Sequence, residues 1–455
     1  MNKELWDEIL QFDFDDPPSE YGFTTRLANE NFWTEAFTEL AILEYKKFMY
    51  LAATSEMMVS PSEIVDTVWH QHLIFTQSYQ NFCTLIGKQI QHIPSTHNRA
   101  EFEKFSQAKE RTQKLYSDVF GEQPKSIWDY PGMFDSLNLE KARFKIRTFL
   151  VFGILGFIAL VVPFYFFLKP IYIEINNPYF VIGFISLSIL TFAGLEFYNR
   201  IKLKNITKGF DKNSFIYRLE PYELVYLKTQ RLDNIINGTV NELIDRNIIF
   251  INPDKTIDLL KSKKLNSQKE LQVIATLEES GRTHYTALLR QLMNKPIFSN
   301  TAKWADAFQK YIIKSKKFGN LFYTNFVILN SLLLLGFIRL ITGILREKPV
   351  FQILMITVIL IVLIIYYLNR LTKLFSTKTI PDLYKTEILP TRQIQDAWQW
   401  QYFLTGAAVL TATFIPVISY TEKNNYFGND SGSSSSCGSS CGSSCSSCGG
   451  CGGGD

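Results

Sequence analysis

Two closely spaced histidines stand beside an acid and a tryptophan, residue types from which metal sites and general bases are built. His70 and His72 follow Trp69, Asp66 lies just before them, and His92 comes further along. Imidazole nitrogens and carboxylate oxygens are ligands of Zn²⁺ and related divalent ions. If this chain performs chemistry, we expect that chemistry to start in this stretch.

A helix start signal precedes the two histidines. Residues 60–63 offer Ser60 as the N-cap, a proline at the first helical position and a glutamate three residues after the cap. These features predict one helix over residues 61–86. Gly87 is expected to end it, because glycine readily adopts the left-handed conformation found at helix C-termini.

Helical geometry separates the histidines. Successive residues are about 100° apart around a helix, so His70 and His72 point about 200° apart and cannot chelate one ion. His72 shares its side with apolar residues and Cys83, which predicts that both face the core. Asp66 lies one turn before His70, and a carboxylate that orients an imidazole is typical of metal and general-base sites.

Three interpretations of this stretch stay open. In the first, His72 is a hydrogen-bonded core histidine, and Asp66 and His70 form a surface pair. In the second, a divalent metal such as zinc binds within the set Asp66, His70, His72 and His92, with Asp66 and His70 as candidate catalytic residues. That site requires the chain beyond Gly87 to return along the helix. In the third, the stretch forms a groove for a peptide or another partner.

The C-terminal segment concentrates the thiols. Residues 428–455 consist almost entirely of Ser, Gly and Cys, and they contain Cys437, Cys441, Cys445, Cys448 and Cys451. This composition buries too little apolar surface to offset its ordering entropy, which predicts a disordered tail. The thiols are compatible with cross-linking in an oxidising compartment, with metal capture, or with no specific chemistry.

The rest of the chain is organised for a membrane. Apolar residues concentrate in runs of about 20, the length that a helix needs to cross a bilayer. The predicted spans are residues 148–168, 179–197, 321–344 and 350–368. Lys and Arg cluster on their soluble-domain flanks, which predicts a multi-pass membrane protein with a cytoplasmic N-terminus. A further uncharged run, 402–421, is expected to be a fifth span and to place the tail outside the cytoplasm.

Two soluble modules complete a mainly α fold. Residues 1–135 predict a helical cytoplasmic domain, and residues 209–318 an insert between the two membrane hairpins. In the insert, helices are followed by a short hairpin around residues 252–255, which predicts a small winged-helix-like α/β fold. Residues 268–293 are expected to add a further helix.

Residues 20–130 carry the motifs of a known family. The motifs are the segment 22–31, the segment 61–73 that contains both histidines, and Phe120-Gly121 followed by Pro124 and Trp128. This region resembles the N-terminal region of bacterial glycine-rich domain-containing proteins. Members carry two consecutive histidines before the proline that is Pro94 here, whereas this chain has Gln91-His92-Ile93.

A second resemblance covers about residues 200–455. The segments 219–227 and 243–247, placed between spans and before a Gly/Cys-rich end, are similar to those of a family of uncharacterised bacterial membrane proteins. Members have Gly-Gly where Lys228-Thr229 stands here, and a glycine at the position of Asn247, which also tolerates the left-handed conformation. The two resemblances imply architecture and membrane location, and neither implies a reaction.

Charge and span composition narrow the function classes. The net charge is only +4, and the basic clusters lie beside the spans, where topology explains them, so nucleic-acid binding is disfavoured. Acids and bases lie toward the span ends, which disfavours an ion-coupled transporter. We therefore expect a non-catalytic interaction or assembly factor that contacts lipid and protein partners. The alternatives are a membrane-bound metal-dependent enzyme and a membrane-tethered regulator that uses the insert.

Overall fold

The architecture is defined by a computed structural model that describes residues 2–93, 99–260, 265, 267–392 and 397–427. Within these residues the chain is mainly α, as the sequence predicts, and it adds a small antiparallel sheet. The predicted disordered tail, residues 428–455, and its five cysteines lie outside the described residues.

The N-terminal domain is helical and is organised around one buried carboxylate. Its helices are α1 (Lys3–Gln11), α2 (Phe23–Asn31), α3 (Glu35–Thr54), α4 (Glu63–Ile74), α5 (Thr76–Leu85), α6 (Arg99–Phe120) and α7 (Lys125–Trp128). Glu44 on α3 accepts hydrogen bonds from the Tyr116 hydroxyl on α6 and the Trp128 indole on α7, both at 2.8 Å. Lys47 pairs with the same carboxylate at 2.7 Å. Because an unpaired buried carboxylate is costly, these partners determine how the helices pack.

The prediction of a single helix over residues 61–86 is wrong, because two helices cover this stretch. α4 begins after Ser62, two residues later than the predicted N-cap. The backbone then leaves the helical conformation at Phe75, with φ −87° and ψ 64°. The break places the Ser78 hydroxyl on α5 at 3.2 Å from the His72 ring. A tertiary contact therefore accompanies a break that no glycine or proline marks in the sequence.

Two long apolar helices precede the insert. The helices are α8 (Ile146–Glu174) and α9 (Asn177–Thr207). The insert consists of α10 (Pro221–Thr229), α11 (Leu232–Asp245), β1 (Ile249–Ile251), β2 (Thr256–Leu259), α12 (Gln268–Ser280), β3 (Thr283–His284), α13 (Tyr285–Asn294) and α14 (Pro296–Ile313). The strands pair antiparallel in the order β1-β2-β3, with Phe250 opposite Asp258. The helix pair followed by a hairpin is the predicted winged-helix-like arrangement.

Two turns of the insert depend on left-handed backbone. Asn247 has φ 55° before β1, the conformation for which asparagine was expected to replace glycine. Gly281, with φ 63°, ends α12. Residues 268–293 are mostly helical, as predicted, and β3 follows Gly281 and joins the sheet before α13 begins.

A second pair of long helices follows the insert. These are α15 (Lys316–Ile344) and α16 (Phe351–Leu374), and α16 continues through π-helical turns and α17 (Ile380–Leu383). Among the described residues, four helices are long and apolar enough to cross a membrane, namely α8, α9, α15 and the helix that begins with α16. Asn199 on α9 and Asn325 on α15 exchange hydrogen bonds at 2.9 and 2.7 Å, and Asn199 also lies 2.9 Å from the Tyr367 hydroxyl on α16. These polar contacts fix three of the helices against one another.

The predicted fifth span over residues 402–421 is not one helix. This part of the chain contains α18 (Trp398–Thr405) and α19 (Ile415–Phe427). α18 ends at Gly406, which has φ 69°, and a 3₁₀ turn and a loop separate the two helices. The loop packs on the insert, where the Thr411 hydroxyl donates to Asn241 Oδ1 at 3.0 Å. The expectation that the tail lies across the membrane rested on this span and loses its basis.

The N-terminal domain packs directly on the insert. The backbone N–H of Glu35, at the start of α3, donates to the Glu223 carboxyl on α10 at 3.1 Å. The Glu35 carboxylate pairs with Lys269 on α12. On α2, the Asn29 amide donates to the Pro296 carbonyl at the start of α14 at 3.4 Å. The N-terminal domain and the insert therefore lie at the same end of the long apolar helices.

The Glu223 joint predicts a pH-dependent stability. Burial raises the pKa of Glu223 from 4.5 to about 8. The folded protein keeps a proton that the unfolded chain loses, so this stabilisation is complete below pH 4.5 and is lost as the pH rises through about 8. We expect the unfolding temperature of the full chain in detergent to decline over this range, and E223Q to remove part of that decline. E279Q, at an exposed position of α12, is the matched control. An unchanged pH dependence in E223Q would contradict the assignment.

The packing of residues 402–421 predicts a topology. Glu279 lies in the insert, whereas Glu347 lies in the turn between α15 and α16, at the other end of the spans. In chains that carry one cysteine each, we expect E279C and the reduced native Cys441 to react with an impermeant maleimide from one membrane face, and E347C from the other. The mass shift in sealed vesicles, before and after permeabilisation, measures this. Labelling of Cys441 from the same membrane face as E347C would support a fifth membrane crossing.

Candidate metal centre

Helix α4 presents an acid and a histidine on one face. The Ser62 hydroxyl accepts a hydrogen bond from the Val65 backbone N–H at 3.2 Å, so the helix is capped one turn before Asp66. His70 follows one turn later, and its Nε2 lies 3.9 Å from Asp66 Oδ2. The His70 side chain is 58% exposed and that of Asp66 35%. The pair is therefore accessible to an ion or a ligand.

The chain beyond α5 returns alongside α4. Gly87, with φ 68°, turns the backbone. The Lys88 ammonium then donates to two carbonyls at the C-terminal end of α3, at 2.8 Å each. The Tyr79 hydroxyl on α5 donates to the Ile90 carbonyl. These contacts hold residues 88–93 against the helices that carry the acid and the histidine.

His92 consequently lies against both members of the pair. Its Nε2 is 2.8 Å from Asp66 Oδ1, and its ring centroid is 4.4 Å from that of His70. The Trp69 indole packs edge-on against the same imidazole, at 4.6 Å and 72°. The His92 side chain is only 15% exposed. Each oxygen of Asp66 thus faces one imidazole.

Asp66, His70 and His92 form a candidate metal centre. One ligand atom from each residue lies within 4.8 Å of the other two. Ligands bound to one tetrahedral Zn²⁺ at about 2.1 Å lie about 3.4 Å apart, so modest side-chain rotations would bring these three onto an ion. Three protein ligands leave a coordination position open, which is the pattern of catalytic rather than structural zinc sites.

A pocket of about 350 Å³ lies beside the cluster. Asp66, Trp69 and His92 form one part of its wall, and residues 56–61 and 88–93 form much of the rest. Most of the other wall is apolar. An open coordination position at this centre would therefore face a space that holds a small organic group.

His72 does not join this group. Its side chain is fully buried, with the Tyr45 hydroxyl 2.8 Å from Nδ1 and the Ser78 hydroxyl 3.2 Å from Nε2. Both ring nitrogens have partners, so the structure separates His72 from the other predicted ligands. Burial lowers the pKa of His72 to about 4, which keeps the imidazole neutral at neutral pH. Cys83 is buried as well and lies outside the cluster.

Two parts of the site were beyond the sequence-based predictions. Trp69 adjoins the histidines in sequence, but its spacing does not show that the indole packs on His92 and donates to the Tyr79 hydroxyl at 3.2 Å. The loop before α4 closes the pocket because α6 holds it: the Thr112 hydroxyl accepts the Ser60 backbone N–H at 2.8 Å. The proline in this loop signals a turn, and no local signal identifies the helix that fastens it.

One comparison with known protein families matches the part of the chain that contains this site. Residues 27–116 match the model of a family described as UCP032817-like. The match contains all three residues of the candidate centre, and it covers a minor part of the chain. No curated protein and no solved structure matches the chain. The resemblances based on the motifs of residues 20–130 and 200–455 stay predictions.

The buried His72 predicts a loss of stability in acid. Its pKa is about 4 in the folded protein, against an ordinary value of 6.5, so the unfolded chain binds the proton first. This contribution is present above pH 6.5 and is lost as the pH falls toward 4, by up to about 3 kcal/mol. We expect H72Q to unfold with a weaker dependence on acid than wild type in a thermal scan. H284Q, at an exposed histidine, should match wild type. Equal acid dependence in H72Q and H284Q would contradict this account.

Proposed function

We propose that this chain is a membrane-anchored protein whose N-terminal domain binds a divalent first-row metal ion, with zinc the first candidate. The supporting observation is the convergence of ligand atoms from Asp66, His70 and His92 within 4.8 Å, where Asp66 and His92 also line a pocket. Two imidazoles and one carboxylate with open positions are the ligands of many catalytic zinc sites and of non-haem iron(II) sites. The geometry thus favours the metal-dependent enzyme over the non-catalytic factor that the sequence favoured.

Each residue of the centre has a separate task. Asp66 engages His92 with one oxygen and faces His70 with the other, which orients both imidazoles without a metal. Trp69 covers one side of His92 and limits the rotation of its ring. His70 is the most exposed of the three, so it can turn toward an ion at little cost in packing. A bound metal would supply Lewis acidity at the pocket wall.

Metal-assisted hydrolysis is the reaction class that this arrangement fits best. A zinc ion with an open position binds water beside whatever occupies the pocket. A volume of about 350 Å³ with a mixed polar and apolar wall suits a small organic substrate better than a polymer.

A non-catalytic interaction or assembly factor is the second candidate. The N-terminal domain is joined to the insert through Glu35, Glu223 and Lys269, so a metal in that domain could stabilise a platform for protein partners. A nucleic-acid regulator has less support. α10 packs on α18, and α13 packs on α19, so elements of the same chain cover two helices of the insert.

The proposed location is the bacterial inner membrane, with both soluble modules in the cytoplasm. The support is the placement of Lys and Arg at the soluble-domain ends of the spans. The contacts between the two modules require that they share one face of the membrane.

Metal content tests the centre directly. The full chain, purified in detergent and stripped with chelator, should take up one equivalent of zinc and unfold at a higher temperature as zinc is added. H70A and H92A should bind zinc about 100-fold more weakly. A parallel titration with iron(II) under anaerobic conditions compares the affinities of the two metals that share these ligands. Bound metal is measured by mass spectrometry and affinity by a competing chelator.

The matched control is H284A, which removes an exposed histidine of the insert and should bind zinc as wild type does. H72Q distinguishes an effect on the hydrophobic core from an effect on the metal centre, because it should lower stability without lowering the number of metal ions bound. Zinc binding that survives in the H70A/H92A double variant would overturn the proposal. Zinc binding with no hydrolysis of any compound in a panel of esters, amides and phosphoesters would favour the non-catalytic interaction factor over the metal-dependent enzyme.

A further inference from the structure

A second pocket, of about 380 Å³, lies at the end of the membrane helices that is remote from the soluble modules. It is formed where α8 ends, α9 begins, α15 ends and α16 begins. Its lining includes Ile175, Asn177, Arg339, Arg346, Lys348 and Val350. Three cationic side chains and no acid line the described part of this pocket, which gives it a strongly positive character.

Arg339 is fixed at the pocket and is not neutralised there. Its guanidinium donates to the carbonyls of Tyr172 and Ile175, the latter at 2.8 Å, and lies 3.4 Å from Asn177 Oδ1. The same guanidinium stands 4.7 Å above the Phe180 ring. All of these partners are uncharged, so they position the charge without cancelling it.

Arg346 and Lys348 add two more charges from the turn after α15. Glu347, between them, has φ 54°, and both flanking side chains are exposed. Glu174 and Glu347 are the acids nearest in sequence, and neither lines the pocket. Within the described residues, no carboxylate lies at ion-pair distance from Arg346 or Lys348.

Two helix N-termini and two helix C-termini meet at this space, and the Arg339 guanidinium already binds carbonyls of the last turn of α8. α9 begins at Asn177, and the Asn176 side chain does not cap its first turn. α16 begins just after Val350, which also lines the pocket. The first backbone N–H groups of a long helix carry a partial positive charge and are ready donors to phosphate and carboxylate groups.

The pocket adjoins side chains that face lipid. Phe351 is 72% exposed and Tyr179 is 74% exposed, at the starts of α16 and α9. Ile173 and Leu354 continue the apolar surface along the spans. A ligand with a phosphate in the pocket would therefore have room for hydrocarbon chains along these helices.

We propose that this pocket binds the phosphate-bearing headgroup of an anionic phospholipid. The three cations and the two helix N-termini receive the phosphate, and the exposed apolar side chains of α9 and α16 contact the acyl chains. This site is separate from the candidate metal centre and does not depend on it. Free inorganic phosphate shares the headgroup chemistry and is the competing occupant.

Lipid binding by the full chain in detergent tests the site. Delipidated protein is titrated with phosphatidylglycerol, with zwitterionic phosphatidylcholine and with inorganic phosphate, and retained lipid is counted by native mass spectrometry. We expect phosphatidylglycerol to be retained and to raise the unfolding temperature, with phosphatidylcholine much weaker. R346Q/K348Q should bind phosphatidylglycerol about 10-fold more weakly, because two charge-assisted contacts are lost.

The matched control is R143Q/K145Q, which removes two exposed charges at the start of α8, on the other face of the membrane. This double substitution should leave the amount of retained phosphatidylglycerol unchanged. R346Q/K348Q avoids Arg339, whose contacts hold the helices together, so the variant should fold as wild type does. Equal phosphatidylglycerol binding by wild type and R346Q/K348Q would overturn the proposal. Stabilisation by inorganic phosphate with none by phosphatidylglycerol would overturn the lipid as the occupant.

Discussion

The carboxyl group of Glu223 is the contact on which the arrangement of the soluble modules depends. It accepts backbone N–H groups from Glu35 in the N-terminal domain, at 3.1 Å, and from Glu220 in the insert, at 2.9 Å. A buried acid with donors from two modules resists their separation, because either half would leave polar groups without partners. α3 starts at this contact, and its far end holds Lys88. The position of the candidate metal centre relative to the long helices therefore depends on this contact together with the Glu35–Lys269 and Asn29–Pro296 contacts.

The four long apolar helices were predictable because they depend on composition over many residues. α8, α9, α15 and α16 contain nearly all of the predicted runs, and long apolar sequences leave a chain few alternatives to crossing a membrane. Asn247 was also predictable, since a short polar side chain tolerates the left-handed backbone that the turn into β1 requires. The separation of His70 from His72 followed from helical geometry alone, and it holds because α4 covers both residues.

The failures share a cause, which is contact between residues distant in sequence. The break at Phe75 has no local signal and serves a hydrogen bond between Ser78 and His72. The run over residues 402–421 is apolar enough for a span, but Gly406 ends its first helix and its loop contacts the insert, so it does not form one continuous helix. His92 lies beside α4 because Lys88 binds carbonyls at the end of α3, which are distant in sequence from the turn at Gly87. Periodicity and composition carry no information on such partners.

Tyr79 connects the core with the candidate centre. Its ring packs on His72 with the ring centroids 5.2 Å apart. Its hydroxyl accepts a hydrogen bond from the Trp69 indole N–H and donates one to the Ile90 carbonyl. A single phenol thus contacts both the hydrophobic interior and the loop that carries His92. A substitution at Tyr79 would act on both regions at once, whereas a substitution at His72 would leave the two hydrogen bonds of the Tyr79 hydroxyl in place. Occupancy of the proposed metal centre would then depend on the packing that holds Tyr79 in the interior.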